Sequence, residues 1–124
     1  MHKAALFLGS INAMLAVILG AFGSHGLKSR LTEEMLTVYQ TGVQYHFYHS
    51  LGLFLAGIIA IHLPGSPLVK WSIWFMAGGI VLFSGSLYIL AITNTRWLGM
   101  VTPVGGTAFI LSWLLLAIAV VKIK

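Results

Sequence analysis

The sequence contains no cysteine and very little charge. Of its 124 residues, seven are Lys or Arg and two are Asp or Glu, so charged residues make up only 7% of the chain. About a quarter of the residues in a typical soluble domain are charged. The absence of cysteine excludes disulfides and thiolate metal sites. The shortage of charge excludes a soluble surface and an active site built from many ionisable groups.

Carboxylates are the scarcest chemical groups in the chain. There is no Asp, and the two glutamates, Glu33 and Glu34, are neighbours. A Ser-His-Asp set is therefore excluded. Both glutamates follow Thr32, which matches an N-cap followed by acidic residues in the first helical turn. No catalytic constellation and no cofactor site can be identified, so we expect a protein that is not an enzyme.

Hydrophobic residues, in contrast, make up 59% of the chain. A membrane-spanning helix needs roughly 20 apolar residues to cross about 30 Å of hydrocarbon. Four uncharged segments meet this requirement, at residues 4–22, 43–61, 71–92 and 102–121. Continuous apolar runs favour helices over the alternating pattern of barrel strands. The predicted fold is an all-α integral membrane protein, a single domain of four transmembrane helices in a compact bundle.

The connections between these segments carry helix-ending and helix-starting signals. Residues 23–26 (GSHG) predict a turn after the first span, and residues 62–67 contain two prolines. Apolar side chains at helical spacing in 32–42 predict an amphipathic lead-in helix before the second span. Thr102 as N-cap and Pro103 as the first helical residue predict the start of the fourth span. A cleaved signal peptide is the alternative for the first segment, although its apolar stretch is long for one.

The basic residues are spread thinly along the chain, which carries a net charge of +5. Nucleic-acid binding needs a clustered basic face, so we expect no nucleic-acid partner. Four spans place both termini on one side, where four lysines lie (Lys3, Lys70, Lys122 and Lys124). Lys28, Arg30 and Arg96 lie on the other side. The positive-inside rule therefore favours cytoplasmic termini, by four residues to three.

Small residues recur at helical spacing within three of the predicted spans. Helices in lipid pack through small side chains that let their backbones approach closely. We expect such packing contacts at eight residues: Gly9, Asn12, Ala13, Gly20, Gly78, Gly85, Gly105 and Gly106. Asn12 lies next to the small residues of the first span and can hydrogen-bond across helices. These contacts fit either a monomeric bundle or a homo-oligomer.

The most unusual residues are His46 and His49, which share one face of the second span because they are three positions apart. Ionisable groups within a membrane span are uncommon and often functional. With His25 they are candidate metal ligands or proton carriers; the alternative is a structural, hydrogen-bonded role. The predicted topology brings a candidate polar cluster to the non-terminal side: His25, Glu33, Glu34, His46, His49, Ser84, Tyr88 and Arg96.

Four motifs resemble a known family of small membrane proteins. Residues 20–27 (GAFGSHGL) are similar to the GAFGAHGL signature of domain of unknown function family 423, also called uncharacterised protein family 0382. Residues 45–51 (YHFYHSL), 83–88 (FSGSLY) and 102–106 (TPVGG) match further motifs in the expected order. The departure is Ser24, where the family usually has Ala. The resemblance implies a plasma-membrane protein with about four helices, and it implies no activity.

Three classes of function fit this sequence. The first is a structural or accessory membrane protein that packs against lipid, copies of itself or a larger complex. The second is a small transporter, although four-helix exporters use an acidic residue in the first span, where this chain has Asn12. The third is a membrane enzyme or metal carrier that uses the polar cluster. We expect the first, with a small transporter or a proton- or metal-handling protein that uses His25, His46 and His49 as the alternative.

Overall fold

The computed structural model describes residues 1–123, and every regular element in that part of the chain is helical. Lys124, one of the lysines in the orientation count, lies outside the described residues. The helices are α1 (His2–Phe22), α2 (Glu33–His62), α3 (Pro67–Gly79), α4 (Gly85–Thr93) and α5 (Thr102–Val121). Two π-helical turns, Gly23–Leu27 and Ile80–Ser84, and a 3-10 helix, Arg96–Met100, complete the chain. These elements join into four rods, because α3 and α4 are continuous through the second π turn.

Three of the rods are long and apolar enough to cross a membrane: His2–Leu27, Pro67–Thr93 and Arg96–Val121. The remaining rod, α2, has 30 residues and therefore measures about 45 Å, which also exceeds the thickness of the hydrocarbon core of a bilayer. It is less apolar than the others, and its polar residues include His46 and His49, both buried within the protein. Since α2 packs against α1, α3 and α4, these polar side chains face protein and not lipid.

Helix ends in the structure follow the local sequence, with two exceptions. Thr32 caps α2 by accepting a hydrogen bond from the Met35 N–H at 3.2 Å, as predicted. The predicted turn at residues 23–26 is wrong, because the first helix continues as a π-helical turn to Leu27. Thr102 was also predicted to be an N-cap, but Val101 occupies that position. A 3-10 helix leads directly into α5, so Thr102 is already helical there.

The hydrophobic core lies where α2, α3 and α5 meet, with one side chain from α1. Its fully buried members include Leu53 and Met76, and Phe109 and Leu116 contribute from α5. A smaller apolar cluster of Leu27, Tyr39 and Ala91 lies at the other end of the molecule. α1 packs almost entirely against α2, so the first rod is peripheral and much of its surface is exposed.

Glycine lets two helix pairs approach closely. A Cβ at Gly9 would lie 2.8 Å from both the Ser50 carbonyl oxygen and the Phe54 nitrogen, so α1 and α2 touch through backbone at this point. Gly105 of α5 lies against the backbone of Phe83 in the same way. These contacts are of the kind by which small residues bring membrane helices together.

The other small residues with predicted packing roles have varied surroundings. A Cβ at Gly20 would lie 3.3 Å from Val43, and one at Gly106 would make ordinary contact with Phe83. Gly78 and Gly85 face open space. The close approach of the third rod to α5 lies instead at Gly79, where a Cβ would meet the ring of Phe109 at 2.5 Å.

Candidate functional site

His46 links three helices through hydrogen bonds. Its side chain extends from α2, and the residue is only 4% exposed. Nδ1 lies 2.8 Å from the Tyr88 hydroxyl of α4, and Nε2 lies 2.9 Å from the Asn12 side-chain oxygen of α1. Asn12 is 34 positions from His46 along the chain, and Tyr88 is 42 positions from it. The Tyr88–His46–Asn12 chain therefore crosses the molecule from one side of α2 to the other.

The neighbours of His46 determine which ring nitrogen carries the proton. Asn12 donates its Nδ2 to the Leu8 carbonyl at 2.8 Å, which leaves its side-chain oxygen to accept from His46. In the neutral ring Nε2 therefore carries the hydrogen, and Nδ1 accepts from the Tyr88 hydroxyl. A proton added at Nδ1 requires only that this hydroxyl rotate, because its oxygen accepts equally well.

His49, one turn further along α2, has the opposite arrangement. The indole Nε1 of Trp113, which is only a donor, donates to His49 Nε2 at 3.0 Å. Nδ1 must then carry the hydrogen, and it donates to the Tyr45 carbonyl at 2.8 Å. The ring also stacks on Phe109 with centroids 3.5 Å apart and planes 7° from parallel. Both nitrogens are occupied, and a proton on Nε2 would point at the indole N–H.

Buried serines complete the polar interior. Ser84 donates to the Gly42 carbonyl at 2.7 Å and so joins the third rod to α2. Ser72 donates to the Ser112 carbonyl at 2.8 Å and joins α3 to α5. Ser86 lies 2.6 Å from the Thr102 hydroxyl. In residues 1–123, no buried side-chain nitrogen or oxygen lacks a hydrogen-bond partner. The interior is therefore polar in places and fully satisfied.

The candidate polar cluster divides into separate groups in the structure. His46 and Tyr88 are directly bonded, whereas His49 turns toward α5. Glu34 lies 3.5 Å from Arg96 at the surface, with exposed fractions of 68% and 65%. Glu33 is exposed at the start of α2, and His25 is exposed in the first π turn. The described residues include no group of three or more His, Asp or Glu placed to hold a metal ion.

Two residues of the polar interior are absent from the sequence-based cluster. The predicted hydrogen bond of Asn12 across helices is confirmed, and its partner is His46, which the sequence does not indicate. Trp113 was not singled out, although its indole orients His49. In addition, the buried Tyr39 of the lead-in donates its hydroxyl to the Leu19 carbonyl and so fastens α2 to α1.

Three sizeable grooves open on the outer surface of the bundle. One of about 510 Å³ lies between α1 and α2, on the side where His25 is found. Another, of about 530 Å³, borders the aromatic surroundings of His49 and Trp113 along α5. A third, of about 460 Å³, lies between α3 and α5 around Gly78.

The match to known families agrees with this architecture. Residues 19–106 match the model of the family described as "Protein of unknown function (DUF423)". The chain belongs to the DUF423 family. The matched range runs from the end of α1 to the beginning of α5, and it contains His25, both buried histidines and Tyr88.

Relatives of this DUF423 chain cover nearly its whole length. The UPF0382 membrane protein YwdK of Bacillus subtilis is 53% identical over 120 residues, which is 97% of this chain and 98% of the relative. A UPF0382 membrane protein of Staphylococcus epidermidis is 46% identical over 97% of this chain and 97% of its own length. One of Staphylococcus saprophyticus is 48% identical over 98% of this chain and 99% of its own length. No solved structure matches. This DUF423 chain is a membrane protein of a family without an established biochemical role.

Proposed function

We propose that the chain is a structural or accessory protein of the plasma membrane, that it is not an enzyme, and that it acts by packing its helices against other membrane helices. The observation that carries this proposal is the complete internal pairing of its buried polar side chains in residues 1–123. A transporter or an enzyme needs polar groups that are free to meet a substrate. Here the buried histidines and serines bond instead to groups of the same chain, many of them on neighbouring helices.

The outer surface supports the same proposal. α1 packs almost entirely on α2, and Phe7, Val17 and Ile18 are among its large exposed apolar side chains. The two grooves along α5 add concave apolar surface to which another helix can fit. Membrane helices associate by van der Waals packing at such surfaces. The expected partners are copies of this chain or subunits of a larger membrane complex.

Crosslinking in intact membranes tests the packing function directly. The chain has no cysteine, so single cysteines at exposed positions of α1 and α5 report their neighbours without background. We expect discrete crosslinked species for Ile18→Cys or Ile110→Cys, and co-purification of the same partner in mild detergent. A protein that stays uncrosslinked at both positions and purifies as a lone monomer would contradict this function.

Proton handling at His46 is the second candidate function. It is favoured by one observation, namely that the Tyr88 hydroxyl can serve either protonation state of the ring by rotating. Proton-driven uptake in vesicles, lost in His46→Gln and kept in the exposed control His62→Gln, would support this alternative. Metal handling has less support, since His25 lies apart from the buried pair and both nitrogens of His49 are engaged. Stoichiometric metal in the purified protein, lost in His49→Ala, would be needed to sustain it.

The proposed orientation has both termini in the cytoplasm. It rests on four lysines at the terminal side against Lys28, Arg30 and Arg96 at the other. A reporter fused to the C-terminus tests it. Activity of a reporter that works only outside the cytoplasm would overturn the orientation.

A further inference from the structure

The groove between α1 and α2 has an apolar floor. Ala16, Gly20 and Ala21 of α1 line one side, and Val43 and Phe47 of α2 line the other. Its volume is about 510 Å³, and it is open along the flank of the bundle. Because α1 packs on no other helix to a comparable extent, no residue in 1–123 covers this groove.

One end of the same groove is polar. Ser24 and His25 of the first π turn line it there, whereas Gln44 and Tyr48 lie on the α2 side beside Val43 and Phe47. A second hollow of about 210 Å³, which shares Gly20, Ser24 and Val43, extends it toward Gln40. Among the described residues, neither the His25 ring nor the Gln44 amide has a hydrogen-bond partner from another side chain or from the backbone. Both side chains are therefore free to bind a ligand, and His25 is at the polar end.

Cations lie next to the polar end. Lys28 follows the π turn with helical backbone angles, one turn beyond Ser24, and Arg30 follows in the connection. Both are exposed, and the one ion pair in the described residues joins Arg96 to Glu34 instead. Glu33 is the nearest remaining carboxylate along α2, almost two turns before Gln40, and it does not line the groove. The two cations therefore outnumber the free carboxylate.

We propose that this groove binds one anionic phospholipid. An acyl chain lies along Ala16, Gly20 and Val43, and the head group lies at Ser24 and His25 with its negative charge toward Lys28. The match rests on three features: an apolar floor, the unpaired His25 ring at one end, and cations just beyond it. A helix from a second copy fits less well, because its backbone groups are already paired and leave the donors unused. This binding site goes beyond the packing function and does not depend on it.

The test measures lipid retained by the purified full-length chain in native mass spectrometry. The probes are phosphatidylglycerol and phosphatidylcholine with identical acyl chains. We expect the chain to retain one phosphatidylglycerol in preference to phosphatidylcholine. Lys28→Gln is expected to weaken phosphatidylglycerol binding about fivefold, the value of one basic residue near an anionic surface. Lys3→Gln, the same change at the other end of α1, is the matched control.

A second pair of variants separates the groove from the charge. Ala21→Leu fills the floor from an exposed position and is expected to abolish retention of both lipids. Ala4→Leu makes the same change at an exposed position outside the groove and is expected to retain them. Equal retention of the two lipids by the unmodified chain, or equal retention by Ala21→Leu and Ala4→Leu, would overturn the proposal. A disulfide-linked dimer of Val17→Cys would assign the groove to a second copy and would overturn it too.

Discussion

Trp113 of α5 donates its indole N–H to Nε2 of His49 in α2 across 3.0 Å. This single bond determines the tautomer of a buried histidine and occupies the nitrogen that a metal or a proton would otherwise use. With Phe109 stacked on the same ring, His49 is part of the contact between two helices. The polar interior of this protein therefore resembles the interhelical hydrogen bonds that hold membrane bundles together.

Removing the indole donor should weaken the bundle. We expect Trp113→Phe to lower the free energy of unfolding by about 1 kcal/mol through the lost interhelical hydrogen bond, with a further loss from the smaller ring. Unfolding in detergent with increasing denaturant measures the change. Trp71→Phe is the control, because Trp71 is 54% exposed and its indole bonds to no described residue. Equal effects of the two substitutions would show that the bond to His49 contributes nothing.

Tyr88 and Asn12 should be energetically coupled, because both bind the ring of His46. We expect Tyr88→Phe and Asn12→Ala each to destabilise the fold by roughly 0.5–1.5 kcal/mol. The double variant should depart from the sum of the two by at least about 0.5 kcal/mol, as residues in one network do. Strictly additive effects in this double-mutant cycle would mean that the chain through His46 does not act as a unit.

Gly9 and Gly78 should respond oppositely to the same substitution. Gly9→Ala places a Cβ 2.8 Å from backbone atoms of α2, which forces the helices apart. We expect a loss of about 1–3 kcal/mol in unfolding free energy, typical of overpacking. The Cβ added by Gly78→Ala lies in open space. We expect this variant to gain roughly 0.5–1 kcal/mol in unfolding free energy, because alanine has a better helix propensity than glycine. A neutral Gly9→Ala would contradict the backbone contact between α1 and α2.

The surface ion pair should matter little. Arg96 and Glu34 lie 3.5 Å apart, and both side chains are about two-thirds exposed. We expect Arg96→Gln to change the unfolding free energy by less than about 1 kcal/mol, as is usual for exposed pairs, and added salt to reduce the difference further. A larger, salt-independent loss would indicate a structural role for Arg96 that the exposed pair does not explain.

Much of the fold could be predicted from the sequence because it depends on local patterns. Apolar runs of about 20 residues, the Thr32 cap and the proline-containing connection predict helices without knowledge of tertiary contacts. The first π-helical turn could not be predicted, because residues 23–26 have the composition of an ordinary turn. The second lies within a continuous apolar run and has no local signal. Likewise, Thr102 is a residue type that is common at N-caps. The 3-10 helix that precedes it moves the N-cap to Val101, so Thr102 is already helical.

The candidate site was only partly accessible from the sequence. The spacing of His46 and His49 correctly indicates one helix face, yet one ring turns to α1 and α4 while the other turns to α5. That difference depends on how the four rods are rotated and shifted relative to one another, which a local sequence pattern does not predict. The same reason explains why the close helix contact lies at Gly79 and not at Gly78. Spacing alone favoured Gly78, whereas the rotation of α3 brings Gly79 against Phe109.

The imidazole nitrogens themselves provide the most direct test of a self-satisfied polar interior. Nitrogen-15 NMR of the full chain in lipid nanodiscs distinguishes the protonated nitrogen of each ring. We expect two opposite neutral tautomers, with the hydrogen on Nε2 in His46 and on Nδ1 in His49. Trp113→Phe should alter the signals of His49 and leave those of His46 in place. A charged or metal-bound His49, or a hydrogen on its Nε2, would contradict the proposed structural role of these histidines.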